Sequence, residues 1–311
     1  MSRVLRKTIW AGWKRLAKLA SRSYLAGAEL QDAVQACRRF SEHGFAASVG
    51  YWNNPGDDPR LVADHYLATL DGLAHEDLNS YLSIKAPALG LNLELVAEII
   101  ERGEQAGIRV HFDALTPETA EPTFELIAQS LTPSRRIGCT LPGRWQRSLA
   151  DADRAVALGL DVRVVKGEWA DPVHPDIDLS SGFLAVIDRL AGRARHVGVA
   201  THDAGLAYDA LCRLRAANTA CELEQLFGLP LRDTIKVARD LEVPVRLYVP
   251  YGNAWVPYCL SQIRKQPRIL WWVVRDAVFG RSLNLLDVPR SARDRLVAAP
   301  AQARGLRAST K

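Results

Sequence analysis

The sequence predicts an α/β protein: a closed (β/α)8, TIM-like barrel with an N-terminal helical arm. Two observations carry that expectation. Strand-like and helix-like segments alternate eight times, at intervals of roughly 25–35 residues, as a closed parallel barrel requires. The chain has 311 residues, 48% apolar and 24% charged, which accommodates such a barrel of ~250 residues as one domain. An open doubly wound sheet is the runner-up. No G-x-G-x-x-G follows the first strand, which counts against a Rossmann dinucleotide site.

Residues 1–44 form the arm, residues 45–288 the barrel and residues 289–311 a basic flexible tail. The arm opens as a basic amphipathic helix, with Trp10, Trp13 and Leu16 on one face and Lys14, Arg15 and Lys18 around the rim. Such a helix can rest on an anionic membrane or pack on the domain. The first strand is expected at 45–51, followed by a helix at 58–70. The second strand, 81–86, precedes a helix at 92–105, whose Leu93, Val96, Ile99 and Ile100 form an apolar stripe. Strands three to seven are expected at 108–113, 137–141, 161–166, 196–200 and 220–226. Their helices fall at 117–130, 149–158, 182–190, 204–215 and 231–241. In strand five, alternation puts Arg163 and Val165 on one face and Val164 and Lys166 on the other. Strand eight, 243–249, alternates Val245, Leu247 and Val249 with Arg246 and Tyr248 before Gly252 breaks it. Trp255, Tyr258 and Ile263 then recur at helical spacing.

Composition excludes several classes. No apolar run reaches the ~20 residues that span a bilayer. The five cysteines lie far apart without a C-x-x-C, so neither a disulfide framework nor a zinc site is expected, and a reducing, cytoplasmic setting fits. No metal is expected. The N-terminus lacks a signal-peptide core, although its acid-free, basic character also permits an organelle presequence. The net charge of +5 belongs to the ends: residues 29–288 hold 27 basic and 34 acidic residues. A nucleic-acid partner is therefore not expected.

In such barrels chemistry sits at the C-terminal strand ends. Those ends read Lys85, Asp113, Thr140, Lys166, Thr201-His202-Asp203, Glu224-Gln225 and Tyr248. Nearly every strand delivers a group that donates, accepts or carries charge, which points to catalysis. Gly167 lets a ligand approach the backbone. A guanidinium such as that of Arg163 can stabilise a reduced, anionic flavin, or it can pair with a carboxylate inside the barrel.

Six segments in order resemble the proline dehydrogenases, flavin-dependent barrels of proline catabolism. They are Tyr81-Leu-Ser-Ile-Lys85, Val110-His-Phe-Asp113, Arg163-Val-Val-Lys-Gly-Glu-Trp169, Ala200-Thr-His-Asp203, Glu222-Leu-Glu-Gln-Leu-Phe-Gly228 and Val245-Arg-Leu-Tyr-Val-Pro-Tyr-Gly252. The resemblance spans roughly residues 40–270. It implies FAD as cofactor and hydride transfer to its N5 from the carbon beside an amine nitrogen, giving an imine. It puts Arg163 at flavin N5, with backbone contacts from Val165 and Gly167. Thr201, His202 and Asp203 would lie along the FAD phosphates or ribose, and Thr140 and Glu222 join the cofactor-binding residues. Lys85 and Asp113 would line the substrate pocket, with Tyr248 and Tyr258 as walls. A quinone or dioxygen would accept the electrons, and a membrane quinone gives the N-terminal helix a use in peripheral contact with the inner face of a membrane.

One departure matters most. The family's last barrel helix carries two arginines that clamp the proline carboxylate. This chain has Ser261 and Gln262 there, with Lys265 in place of an acid. The expected substrate is therefore an amine other than free L-proline, with Ser261 and Gln262 in its pocket. Asp203 replaces an Asn and would repel a phosphate unless it turns toward a ribose hydroxyl or a cation. Two other readings compete: a Schiff-base lyase using Lys85 or Lys166, and a non-catalytic barrel that has lost its substrate clamp.

Overall fold

The computed structural model describes residues 27–252, apart from residues 77, 133–135 and 230. The amphipathic segment at the N-terminus, Tyr258, Ser261, Gln262 and the basic tail lie outside the described residues.

Eight parallel strands close into one barrel in sequence order. They are β1 (Ala46–Tyr51), β2 (Ser80–Ile84), β3 (Arg109–Phe112), β4 (Ile137–Pro142), β5 (Asp161–Val165), β6 (Val197–Ala200), β7 (Cys221–Leu226) and β8 (Val245–Tyr251). β8 returns to β1, with Ala46 opposite Arg246 and Tyr51 opposite Tyr251. Helices α1 (Leu30–Glu42), α2 (Pro59–Ala74), α3 (Leu93–Ala106), α4 (Pro117–Ser130), α5 (Ser148–Ala157), α6 (Leu179–Leu190), α7 (Ala204–Ala216) and α8 (Arg232–Asp240) surround the strands. A short 3-10 turn, Ala86–Leu89, follows β2.

The helix starts are written in short polar residues. Asp58 accepts from the Arg60 N–H with Pro59 in the first turn of α2, Asn92 caps α3 and Asp178 caps α6. Each side chain satisfies amides that the helix leaves open. The C-terminal half of the expected arm is part of the shell. Helix α1 buries Ala33, Val34, Ala36, Cys37 and Phe40 against β1 and β8, and so covers the seam where the barrel closes.

The strands turn their apolar residues outward. Val49, Leu82, Ile84, Val110, Val162, Val164, Val199, Leu223, Leu247 and Val249 join the helices in a continuous apolar annulus. What remains for the lumen is Tyr81, Ser83, His111, Thr140, Arg163, Glu222, Glu224 and Arg246, all buried. Branched apolar side chains usually fill such a lumen. Here it is polar and charged, and burial on that scale demands that every charge be partnered.

Candidate active site

The lumen is organised as two charged levels. In the lower one, near the strand starts, Arg246 Nε donates to Glu222 at 2.7 Å and its Nη1 to the Ala47 carbonyl at 2.6 Å. Arg109 pairs with Asp161 beside it. In the upper one Arg163 Nε donates to Glu224 at 2.9 Å and Nη1 to Asp113 at 2.5 Å. Nη2 donates to the Tyr81 hydroxyl at 2.6 Å and Ser83 Oγ at 3.3 Å. Burial opposes the guanidinium charge, but Tyr81, Glu224 and Asp113 outweigh it and hold Arg163 well above its ordinary range. Tyr81 joins the levels: its hydroxyl donates to Glu224, 2.8 Å from Oε2, and its ring lies 4.2 Å from the Arg109 guanidinium carbon and 4.7 Å from that of Arg246.

Close packing of these groups needs bare backbone opposite. A Cβ on Gly198 would stand 2.3 Å from Glu224 Oε1, and one on Gly50 would stand 2.2 Å from the Tyr248 hydroxyl. Glycine at both positions makes room for a lumen side chain from another strand.

Toward the C-terminal ends of the strands, Asp113 Oδ1 accepts from Ser83 Oγ at 2.8 Å and Oδ2 from the Tyr248 hydroxyl at 3.3 Å. Lys85 Nζ donates to the Tyr51 carbonyl at 3.0 Å and sits 4.5 Å from the centroid of the Trp52 ring. Burial brings its ammonium down to about 8, against the pull of Asp113. Burial, with Asp113 adding to it, pushes the Tyr248 phenol well up, so it stays protonated. Lys85, Asp113, Arg163 and Tyr248 thus come from β2, β3, β5 and β8 into one cluster. Thr140 belongs to it as well, its hydroxyl 2.9 Å from His111 Nε2 and 3.5 Å from Arg163 Nη1.

The other expected cofactor residues have their own partners. Glu222 lies in the lower level, held below the usual carboxylate range because Arg246 overcomes its burial. The Val165 carbonyl accepts from the Gly143 N–H at 2.7 Å. Gly167 adopts φ 93°, and a Cβ there would meet Pro142 at 2.8 Å, so it lets the loop after β4 lie close to the loop after β5. Thr201 Oγ1 accepts from the Asp203 N–H at 3.2 Å, and His202 Nε2 accepts from the Leu226 N–H at 3.1 Å. Asp203 caps α7 through the Leu206 N–H and turns toward a cation, Lys166 Nζ at 3.4 Å. Gln225 faces outward, accepting from Thr234 Oγ1 at 2.7 Å.

Sequence reasoning did not single out Trp52, Ser83, His111 or Arg246 as site groups. For the last three a signal existed: Tyr81-Ser83-Lys85, Arg109-His111-Asp113 and Arg246-Tyr248 are polar at period two, a lumen-facing row in each strand. Trp52, one residue past β1, carried none. Among the described residues no group of His, Cys, Asp or Glu is arranged to hold a metal ion, and no helix is long and apolar enough to cross a membrane.

No family model matches the chain. It is 25% identical over 268 residues to "Proline dehydrogenase 1" of Bacillus subtilis (strain 168), covering 80% of this chain and 88% of that one. It is 24% identical over 288 residues to the proline dehydrogenase of Deinococcus radiodurans, covering 86% and 92%. In fold it is similar to proline utilization A (PutA) from Bdellovibrio bacteriovorus, with TM-score 0.69 and 15% identity over 91% of this chain and 35% of that one. PutA from Corynebacterium freiburgense gives 0.68 and 17%, over 88% and 33%. The chain spans about a third of the length of these PutA chains. The chain is thus similar to proline dehydrogenases over most of its length, and the closed eight-stranded barrel is the fold it shares with the PutA chains.

Proposed function

We propose that this protein is an FAD-dependent dehydrogenase acting on the CH–NH group of an amine related to proline, and that its substrate carries no free carboxylate. The observation that carries the reading is the convergence of Arg163, Asp113, Lys85 and Tyr248 at the barrel mouth. These are the positions at which proline dehydrogenases, by resemblance, face flavin and substrate. FAD, when bound, supplies the electron sink for a hydride leaving the carbon beside nitrogen.

The donors present fit such a cofactor. Four of the five Arg163 N–H groups meet acceptors within 3.3 Å. The fifth reaches Thr140 only at 3.5 Å, the outer limit of a hydrogen bond. It supports a charge-assisted contact to a flavin edge. Asp203, N-capping α7 and turned toward Lys166, presents to the phosphate side a carboxylate already balanced by a cation. Lys85 Nζ, down at about 8, exchanges a proton near the pH at which a substrate ammonium must lose one. The electron acceptor on this reading is a quinone or dioxygen.

The substrate class follows from Ser261 and Gln262. A carboxylate bound without its charged partner costs about 2–5 kcal/mol, roughly thirty- to several-thousand-fold in affinity. The test is anaerobic bleaching of the FAD-loaded protein by prolinamide, pyrrolidine and L-proline. Prolinamide or pyrrolidine should bleach it at concentrations where L-proline does not, and the Ser261→Arg/Gln262→Arg variant should gain L-proline. Wild type that prefers L-proline contradicts the substrate class. A chain that neither retains FAD nor bleaches with any amine contradicts the enzyme and favours a non-catalytic barrel. The lowered Lys85 ammonium also favours a second reading, a Schiff-base lyase, which borohydride trapping of a carbonyl substrate on Lys85 would reveal.

A further inference from the structure

Trp52 lies outside every residue set that the resemblance assigns, yet it touches two of the pocket groups. Its backbone is pinned at the barrel seam, where its N–H donates to the Tyr251 carbonyl at 2.8 Å. Its indole Nε1–H donates to the Tyr248 hydroxyl at 3.2 Å, and its ring carries the Lys85 ammonium 4.5 Å from the centroid.

The chemistry of the three groups gives this contact a direction. An indole N–H can only donate, and an ionised carboxylate can only accept. Tyr248, placed between Trp52 and Asp113, is left one arrangement: its oxygen accepts from Trp52 and its proton points at Asp113 Oδ2, 3.3 Å away. Asp113 Oδ1 meanwhile accepts from Ser83 and Arg163. The carboxylate plane is thereby fixed from both sides. Without the indole N–H, the phenol would be free to rotate its proton toward an incoming amine, and Asp113 would lose the partner on Oδ2. The ring face adds a second restraint, holding Lys85 on the β1 side of the mouth together with the Tyr51 carbonyl.

We propose that Trp52 is a positioning residue for amine oxidation, which acts through Tyr248 to orient Asp113 and through its ring face to hold Lys85. The proposal rests on the amine dehydrogenase reading above.

The test compares Trp52→Phe, Tyr248→Phe and the double variant, loaded with FAD and reduced anaerobically by pyrrolidine. Trp52→Phe keeps an aromatic face for Lys85 and removes only the donor. Its limiting rate of flavin bleaching should fall about tenfold, the worth of one hydrogen bond in the reacting complex. Half-saturation should stay within about twofold, as expected when binding contacts are untouched. Tyr248→Phe should be at least as slow, and the double variant should match Tyr248→Phe within about twofold, because residues acting in one chain do not add. A second readout needs no cofactor. In the flavin-free chain the 15N-indole signal of Trp52, identified among eight tryptophans by its loss in Trp52→Phe, should move upfield in Tyr248→Phe. Wild-type rates in Trp52→Phe, multiplying effects in the double variant, or an indole signal indifferent to Tyr248 each overturn the positioning role. Wild type that fails to bleach with pyrrolidine or any other amine overturns the dehydrogenase reading and the catalytic role of Trp52 with it. Bleaching wild type with additive variants overturns the positioning role alone.

Discussion

Removing the guanidinium of Arg246 should cost this fold more than any comparable surface change. Arg246→Met keeps much of the stem volume but strips Glu222 of its 2.7 Å partner and removes the guanidinium donors to the Ala47 carbonyl and to Asn79 Oδ1, while the Asn79 carbonyl keeps the Ala47 N–H at 2.9 Å. Near Glu222 the Arg109 guanidinium remains, with the His196 ring 3.9 Å away. Breaking one side of a buried pair typically costs about 3–5 kcal/mol. For a domain of this size each kcal/mol moves the melting temperature by about 2–4 °C, so a fall of roughly 6–20 °C is expected. The cost should depend on pH. In the wild type, Arg246 overcomes burial and keeps Glu222 below its ordinary range, so its contribution is complete above the unfolded value of about 4.3 and fades only as pH falls through the lower folded value. In Arg246→Met the largest charge opposing burial is gone and Arg109 is the guanidinium left to oppose it, so the folded value rises and the penalty grows as pH rises through it. Circular-dichroism melts should therefore show a gap between variant and wild type that narrows from pH 8 to pH 5. Replacing both partners, Arg246→Met with Glu222→Leu, should recover most of the loss. A single variant within about 2 °C of wild type at pH 8, where loss of a buried pair should cost several times more, would refute the view that this pair is coupled. So would a double variant no better than the sum of its parts.

Two further outcomes follow from the lumen. Gly198→Ala drives a methyl to 2.3 Å from Glu224 Oε1, displacing the carboxylate from Arg163 and Tyr81. It should cost about 1–3 kcal/mol and abolish amine-dependent flavin bleaching, whereas an unchanged melting point and rate would show that Glu224 yields freely. Lys85, down at about 8, binds fewer protons folded than unfolded between pH 8 and about 10.4. It therefore makes stability rise with pH across that window. The urea midpoint of Lys85→Met, compared with wild type at pH 8 and pH 10, should lack that increment.

Much of the barrel was legible because its periods are unmixed. Each expected strand overlaps an observed one and differs at its ends by a residue or two, since apolar residues at every second position must face the helices. Helix α1 was folded into the arm because the basic segment before it dominated the composition of residues 1–44. Lys85, Asp113 and Tyr248, three of the strand-end groups, meet at the mouth, and Arg163, which the family resemblance singles out, joins them through Asp113. Height along a strand is harder to read: Glu222 and Glu224 share a face, but strand stagger puts the first with Arg246 and the second with Arg163. Thr201, His202 and Asp203 illustrate a different difficulty. A short polar run before a helix is also a capping signal, and the structure uses Asp203 that way.

The two charged levels also bear on how this barrel can be redesigned. Arg109, Arg246, Asp161 and Glu222 sum to zero, as do Arg163, Lys85, Asp113 and Glu224 while Lys85 is protonated. The upper level is electroneutral on its own, while in the lower one Asp161 also pairs with Arg195 and Arg136 at the surface. A single charge introduced to suit a new substrate would be repelled from the lumen or would titrate away. Specificity engineering in this chain is therefore a matter of paired edits within one level, one cation exchanged with one anion at a time.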